Sequence, residues 1–390
     1  MKLPHDIHLG YCTNIHRGES WEETFAGLRD YTMRVREQIA PDQPYGIGLR
    51  LGHAAAVELS QKEALLDFQR WLEKNDSYVF TINGFPYGQF HNTRVKQDVY
   101  RPDWTTPERL EYTNLLFDLL VEMLPADTPG SVSTLPGSFK EFGIDADGLE
   151  AIFGNLEHCR RHIEALREKS GQDLHLGLEP EPLGLFETSG ESLKFFGHLV
   201  ERSGPEILET IGLNYDTCHL AVEFEEAGTA LERLSGAGIR ISKLHLSSAL
   251  KCAPTPENRA RLAAFGDDVY LHQVVVREGE GASELPLRRI LDLPEALAMA
   301  EAGDLGGDEW RIHFHVPLHA GPDGDFGTTQ DHLLGALDWL SAHPSKCQHL
   351  EMETYTWEVL PSDLRASDVV DQLAREYHWA LSAMRDRGLA

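Results

Sequence analysis

Four strings in the second half of the chain set carboxylates and imidazoles at the ends of short apolar runs. They are Leu178-Glu179-Pro180-Glu181-Pro182, Asn214-Tyr215-Asp216-Thr217-Cys218-His219, Lys243-Leu244-His245-Leu246-Ser247 and His349-Leu350-Glu351-Met352-Glu353-Thr354. Two Glu, one Asp and one His drawn from these ends form a mixed oxygen and nitrogen donor set. Such a set suits one divalent cation, Mn, Co, Zn or Mg, and leaves positions for water or substrate. Three carboxylates converging without a cation would repel one another and take up protons, and a bound cation removes that conflict.

These groups share one mouth only if the runs that carry them lie side by side. Candidate strands of buried parallel type fall at 7–13, 46–51, 79–83, 131–135, 174–179, 212–216, 243–247 and 349–354. Helical patterns separate most of them. Ser20-x-x-Glu23, Ser60-x-x-Glu63 and Thr188-x-x-Glu191 read as capping boxes, and Thr106-Pro107 reads as an N-cap followed by a first-turn proline. Amphipathic stretches at 109–124 and 149–169 and a final helix near 367–387 complete the alternation. The pattern predicts a single-domain (β/α)8 TIM barrel over 1–390, because no Gly-rich dinucleotide loop follows the first strand. In such a barrel catalytic groups gather at the C-terminal strand ends. Two stretches exceed the minimal barrel. Residues 84–105 form a long, lid-like loop after the third strand. Residues 248–331 form an excursion over the mouth between the last two strands, with strand-like runs at 270–276 and 311–316 and a short helix near 294–302. The run at 311–316 also reads as a barrel strand.

Composition narrows the partners. Sixty-three acidic against 35 basic residues give a formal charge of −28, a field that repels nucleic acid. Five scattered cysteines without a C-x-x-C pair suggest a reducing compartment, hence the cytoplasm. The opening MKLPHDIHLGYC lacks the apolar stretch of a secretory leader, and no apolar run is long enough to span or insert into a membrane. A homo-oligomer is left open.

Asp216-Thr217-Cys218-His219 after a strand resembles the corresponding segment of the xylose isomerase-like barrel superfamily, which includes ketose 3-epimerases, inosose dehydratases and zinc endonucleases that cut abasic DNA. The resemblance implies a metal held by Glu179, Asp216, His245 and Glu353, with His219 touching substrate or a second metal. Longer strings resemble the EboE-type "metabolite traffic" family: Leu9-Gly10-Tyr11-Cys12-Thr13-Asn14-Ile15-His16, Asn83-Gly84-Phe85-Pro86-Tyr87-Gly88, His313-Phe314-His315-Val316-Pro317 and Phe326-Gly327-Thr328-Thr329-Gln330. That family name points to a small metabolite and implies no particular reaction.

The expected chemistry is isomerisation or epimerisation of a sugar, cyclitol or related hydroxy-carbonyl compound, so the expected partner is a small polyol or sugar-like metabolite. The metal would chelate adjacent oxygens and acidify the C–H between them. Glu179 and Glu353 would remove and return the proton through an enediolate, with His219 polarising the oxygen. Substrate-binding candidates are His16, Asn83, His91, Lys251, His272, His315 and His319. His313 and His315 share one face of their strand, which suits either substrate and metal binding or simple hydrogen bonding. Arg94, Lys96 and Arg101 either grip an anionic substrate or pair with Asp98, Asp103 and the acidic surface. Lys251 stands where related epimerases often place Arg, and Pro180-Glu181-Pro182-Leu183 where they tend to show Asn-Arg. Two other functions compete: a non-catalytic metabolite-binding protein that retains the barrel pocket, and an abasic-site endonuclease, which the negative charge disfavours.

Overall fold

Runs of Leu, Ile, Val and Gly that are buried on both faces form the parallel strands of a barrel. The computed structural model describes residues 1–90, 96–266, 269–279, 287–322, 326–360, 365 and 368–390. The barrel strands are β1 (His8–Tyr11), β2 (Tyr45–Arg50), β3 (Ser77–Asn83), β4 (Gly130–Thr134), β5 (Leu174–Leu178), β6 (Ile211–Asp216) and β7 (Ile241–Leu246). Five further strands follow in the excursion: β8 (Leu250–Cys252), β9 (Val274–Arg277), β10 (Leu287–Ile290), β11 (Glu309–Ile312) and β12 (Phe326–Thr328). The chain then returns to the barrel as β13 (His349–Met352). Hydrogen bonding orders the eight barrel strands β1-β13-β7-β6-β5-β4-β3-β2. A parallel bridge between Cys12 and Gly48 brings β1 against β2 and closes the ring. Every barrel-strand residue is buried, as expected of parallel strands covered by helices outside and packed side chains inside.

All eight strands expected from the sequence are present. The helices Pro107–Met123, Ala146–Ser170 and Val369–Arg385 match the amphipathic stretches. Capping boxes form at Ser20 and Glu23 and at Thr188 and Glu191. The expected box at Ser60 and Glu63 does not form. Ser60 ends the helix His53–Leu59 with helical backbone angles and donates its hydroxyl back to Val57 O, leaving Gln61 to open the next helix.

The excursion builds its own antiparallel sheet in the order β10-β9-β11-β8-β12. Its core joins Leu262, Phe265, Val274, Trp310, Ile312 and Phe314 with the helix Leu293–Ala302. Of the run at 311–316, Arg311 and Ile312 end β11 of this second sheet, which pairs with β8 and β9, both antiparallel, and not with the barrel; 313–316, with His313 and His315, continue beyond the strand. Among the described residues no helix is long and apolar enough to cross a membrane. All five cysteines are buried as free thiols.

Candidate metal centre

The strand ends converge. Glu179 follows β5, Asp216 ends β6, His245 lies on β7 and Glu353 follows β13. Their ligand atoms lie within 4.8 Å of one another, and all four residues are buried. His245 stands at the middle. Its Nδ1 is 3.0 Å from Glu179 Oε1, 3.1 Å from Glu353 Oε2 and 3.6 Å from Asp216 Oδ2.

Each donor is held by its own local chemistry. Asp216 caps the short helix Thr217–Val222. Its Oδ1 accepts from the Cys218 and His219 amides and from Ser247 Oγ, while Oδ2 is buried with no hydrogen-bond partner. Glu353 Oε1 accepts from Asn14 Nδ2 at 2.8 Å and Asn83 Nδ2 at 3.1 Å. On the far side of the His245 ring, Nε2 lies 2.8 Å from Glu351 Oε2, and Glu351 is ion-paired with Lys243. A carboxylate on Nε2 holds a proton there, so that Nδ1 turns its lone pair to the cluster once a cation displaces the second proton, the arrangement that usually orients a metal-bound imidazole.

The electrostatics fit a cation. Burial opposes protonation of His245, but Glu353 and Glu179 outweigh it and raise the imidazole pKa well above its usual range. Burial pushes the Glu181 carboxyl well above its usual range, and Glu179, Asp216 and Glu353 add to the effect. Burial works against ionised Asp216 too, yet His219, His245 and His315 hold its pKa well below the usual value. A bound cation would replace the protons that this cluster otherwise holds. The orphaned Asp216 Oδ2 and the crowded carboxylates thus fit the divalent ion expected from the sequence.

A cavity opens above the cluster. Glu179, Glu353, His219, Asn83 and Asn14 line its floor, and Glu181 and His313 its flank. Phe85, Phe90, Tyr100, Tyr270 and Tyr355 make much of the wall apolar. Asp216 and His245 are not exposed to the cavity and lie beneath it. The excursion contributes Tyr270, Leu271 and His313 to the wall, and Lys96 enters from the loop after β3.

Several expected binding residues lie elsewhere. His16 bonds Tyr11 Oη, stacks on Tyr31 and lines a separate small cleft with Arg17 and Arg50. Lys251 pairs with Asp331 at 2.9 Å, away from the cavity. His319 is half-buried, and burial followed by Arg375 lowers its pKa. His272 is fully buried behind the wall, with Nδ1 2.9 Å from His313 O. His315 lies beneath the wall, 3.2 Å from His219. Of the lid cations, Lys96 pairs with Asp292 and Arg101 sits over the Phe142 ring. His91 and Arg94 lie outside the described residues.

Glu181, Lys243, Glu351 and Tyr355 were not singled out from the sequence. Glu181 and Glu351 each sit two residues from an expected ligand in the same string, so only the observed geometry tells which carboxylate faces the cluster.

No protein-family model matches the chain, and no curated protein matches it. Solved structures do. An L-ribulose 3-epimerase superposes with a TM-score of 0.53 at 12% identity, over 98% of this chain and 95% of that one. A D-tagatose 3-epimerase-like protein superposes with a TM-score of 0.52 at 11% identity, over 98% of each chain. At such identity the likeness is one of fold, that of an eight-stranded (β/α)8 TIM barrel.

Proposed function

We propose that the chain is a divalent-metal-dependent isomerase or epimerase acting on a sugar, cyclitol or related hydroxy-carbonyl metabolite. The observation that carries this reading is the convergence of Glu179, Asp216, His245 and Glu353 on one point at the cavity floor. These four residues would hold the ion. When bound, it supplies Lewis-acid polarisation of a carbonyl and its neighbouring hydroxyl. Two of the solved structures that share the fold are named an L-ribulose 3-epimerase and a D-tagatose 3-epimerase-like protein, and a sugar-class substrate is proposed here. The resemblance to the EboE-type family supports a small metabolite and adds no reaction.

The chain's own residues supply the proton traffic. Glu179 and Glu353 both line the cavity, from β5 and β13, two strands of separation apart in the ring. One removes the proton from the carbon next to the carbonyl, and the other returns it through an enediolate. Asn14 and Asn83 fix Glu353 by donating to Oε1. The aromatic wall excludes water from the intermediate. His219 does not suit the polarising role expected for it. Its Nδ1 is committed to Pro180 O at 2.9 Å, so the neutral ring offers a lone pair and no free N–H.

The test is elemental analysis of protein purified without chelator, followed by solvent-deuterium exchange into a panel of ketoses and keto-cyclitols. The expected result is a tightly held divalent ion and metal-dependent exchange at a carbon next to the carbonyl. Bound metal with no exchange into any ligand of the cavity would move the reading to a metabolite-binding protein. Absence of any bound ion, even on titration, would refute it.

A further inference from the structure

The cavity above the centre is short of positive charge. Among the described residues, the charged side chains on its lining are Lys96, Glu179, Glu181 and Glu353. Lys96 makes its direct ion pair with Asp292 of the excursion. Glu179 and Glu353 belong to the centre, where one divalent ion would meet the three carboxylates of Glu179, Asp216 and Glu353 and leave one negative charge over. Glu181 adds a further carboxylate that the centre does not use.

The surroundings of Glu181 are those of a group waiting for a donor. Its side chain is 17% exposed, and among the described residues its carboxylate accepts no hydrogen bond. His219 Nδ1 lies 3.2 Å away but donates to Pro180 O at 2.9 Å. A ring nitrogen of His219 and one of His313 lie within 4.8 Å of the carboxylate and of each other. His313 Nδ1 is anchored on Leu271 O at 3.2 Å, and a carbonyl can only accept, so the proton sits on Nδ1 and Nε2 is bare. That Nε2 is buried with no hydrogen-bond partner, in a residue only 3% exposed. Buried acceptors in native proteins are nearly always matched by a donor. Aromatic rings stand beside the carboxylate. Burial, and after it the Glu181 charge, raises the phenols of Tyr100 and Tyr355 well above their usual range, so Glu181 is the carboxylate that acts most strongly on both. This flank of the cavity thus combines a spare carboxylate, an unmatched imidazole nitrogen and two aromatic rings.

We infer that the substrate carries an ammonium group besides its hydroxy-carbonyl group, as in an amino ketose or a keto-aminocyclitol, and that Glu181 is its counter-ion. An ammonium offers three N–H donors, enough for the Glu181 carboxylate and His313 Nε2 together. Tyr100 and Tyr355 add the attraction of aromatic rings for a cation. The inference rests on the sugar-class reading above and adds the charge of the substrate. It runs opposite to the anionic substrate that the cations of the loop after β3 suggest in the sequence, since Lys96 lies on Asp292 and Arg101 over the Phe142 ring.

The experiment is calorimetric titration of the metal-loaded full chain with ketoses of one skeleton and different charge. The probes are D-fructose, its 1-amino-1-deoxy and 6-amino-6-deoxy forms, and its 1- and 6-phosphates. An amino form is expected to bind about 10-fold or more tighter than D-fructose, in keeping with a hydrogen bond to a charged group, and the phosphates more weakly than D-fructose. Glu181→Gln should lose that preference while keeping its metal and its affinity for D-fructose. D-Fructose binding as tightly as both amino forms, or a preference for a phosphate, overturns the ammonium and leaves the sugar-class reading standing. A folded Glu181→Gln variant that keeps the preference overturns the role of Glu181. Should that variant fail to fold, the order of the wild-type affinities decides alone. Binding of none of the probes overturns the keto-sugar reading itself, and the ammonium with it.

Discussion

Glu351→Gln isolates what the barrel interior does for the centre above it. Glu351 and Lys243 are both fully buried, 2.5 Å apart, and Glu351 also faces His245 Nε2 at 2.8 Å. Burial would raise the Glu351 pKa, but Lys243 and His245 outweigh it and hold the carboxyl at about 2, so the pair is charged at any ordinary pH. Gln keeps the shape and removes the charge, leaving the Lys243 ammonium with neutral partners only, the Gln amide and Ser133 Oγ at 3.0 Å. Breaking a buried pair from one side costs about 3–5 kcal/mol. Loss of the carboxylate behind a ligating imidazole weakens metal binding about 10–100-fold, or ~1.4–2.7 kcal/mol. The two effects separate in Lys243→Met/Glu351→Met, which removes both charges. Stability should return to within about 1–2 kcal/mol of wild type, since a well-packed apolar pair replaces a buried ion pair at little cost. Metal affinity should stay low, because His245 Nε2 still lacks its carboxylate. Urea unfolding of stripped protein reads the first quantity and calorimetric metal titration the second. Wild-type metal affinity in the double variant would refute the claim that Glu351 acts through His245. An unchanged unfolding midpoint in Glu351→Gln would refute the energetic argument.

Gly48→Ala should disturb the same network from the other side. An added Cβ would lie 2.0 Å from Glu351 Oε1 and 2.8 Å from the Tyr11 carbonyl, so a stability loss of about 1–3 kcal/mol and weaker metal binding are expected in the same two assays. Once a substrate is assigned, Glu353→Gln should lose turnover by about two to four orders of magnitude and resist rescue by excess metal. Asp216→Asn should be rescued in part, and rescue of Glu353→Gln to the wild-type rate would sink the two-glutamate scheme. Glu376 is fully buried and accepts from Thr354 Oγ1 at 2.6 Å; burial raises its pKa from 4.5 to about 7. The folded chain then keeps a proton that the unfolded chain releases, so stability falls as pH rises from 4.5 to about 7, by ~3 kcal/mol in total, and that contribution is flat above. Glu376→Gln should flatten this slope in urea unfolding across pH, and an unchanged slope would refute the assignment.

The barrel was legible because its strands are continuous apolar runs between capped helices. Such runs need no long-range information to be recognised, and all eight were placed. The excursion was legible as an interruption and not as a sheet. β8, β10 and β12 are only three or four residues long, too short for a periodic signal, and their pairings are set by neighbours distant in the chain. The assignment at 311–316 stayed open for the same reason, since an apolar run reads alike in either sheet. Residue type and position at the strand ends located the centre. They did not show which side chains reach the cavity. Lys251 fits a binding role by sequence position, yet Asp331 captures it, and His16 is captured by Tyr11. Nor did they reveal Lys243 and Glu351, because a buried ion pair inside a barrel strand looks in sequence like two solvated charges.

That buried pair also settles the charge balance of the centre. Lys243 is the buried lysine beneath the cluster, and its direct ion pair is with Glu351 and not with the carboxylates above. Glu179, Glu181, Asp216 and Glu353 therefore face one another with the histidines as their near neighbours. Without a cation the cluster must hold protons, in line with the raised pKa values of His245 and Glu181. A divalent ion that takes His245 Nδ1 as a ligand must displace the proton there, and its field favours ionised Glu181 as well. Metal binding should thus release protons and tighten as pH rises through neutrality. Calorimetric titrations in two buffers of different ionisation enthalpy measure the release directly. A positive release of about one proton or more per ion is expected. Equal heats in both buffers, with affinity independent of pH, would mean that the ion binds away from His245, and the assignment of the centre would fall.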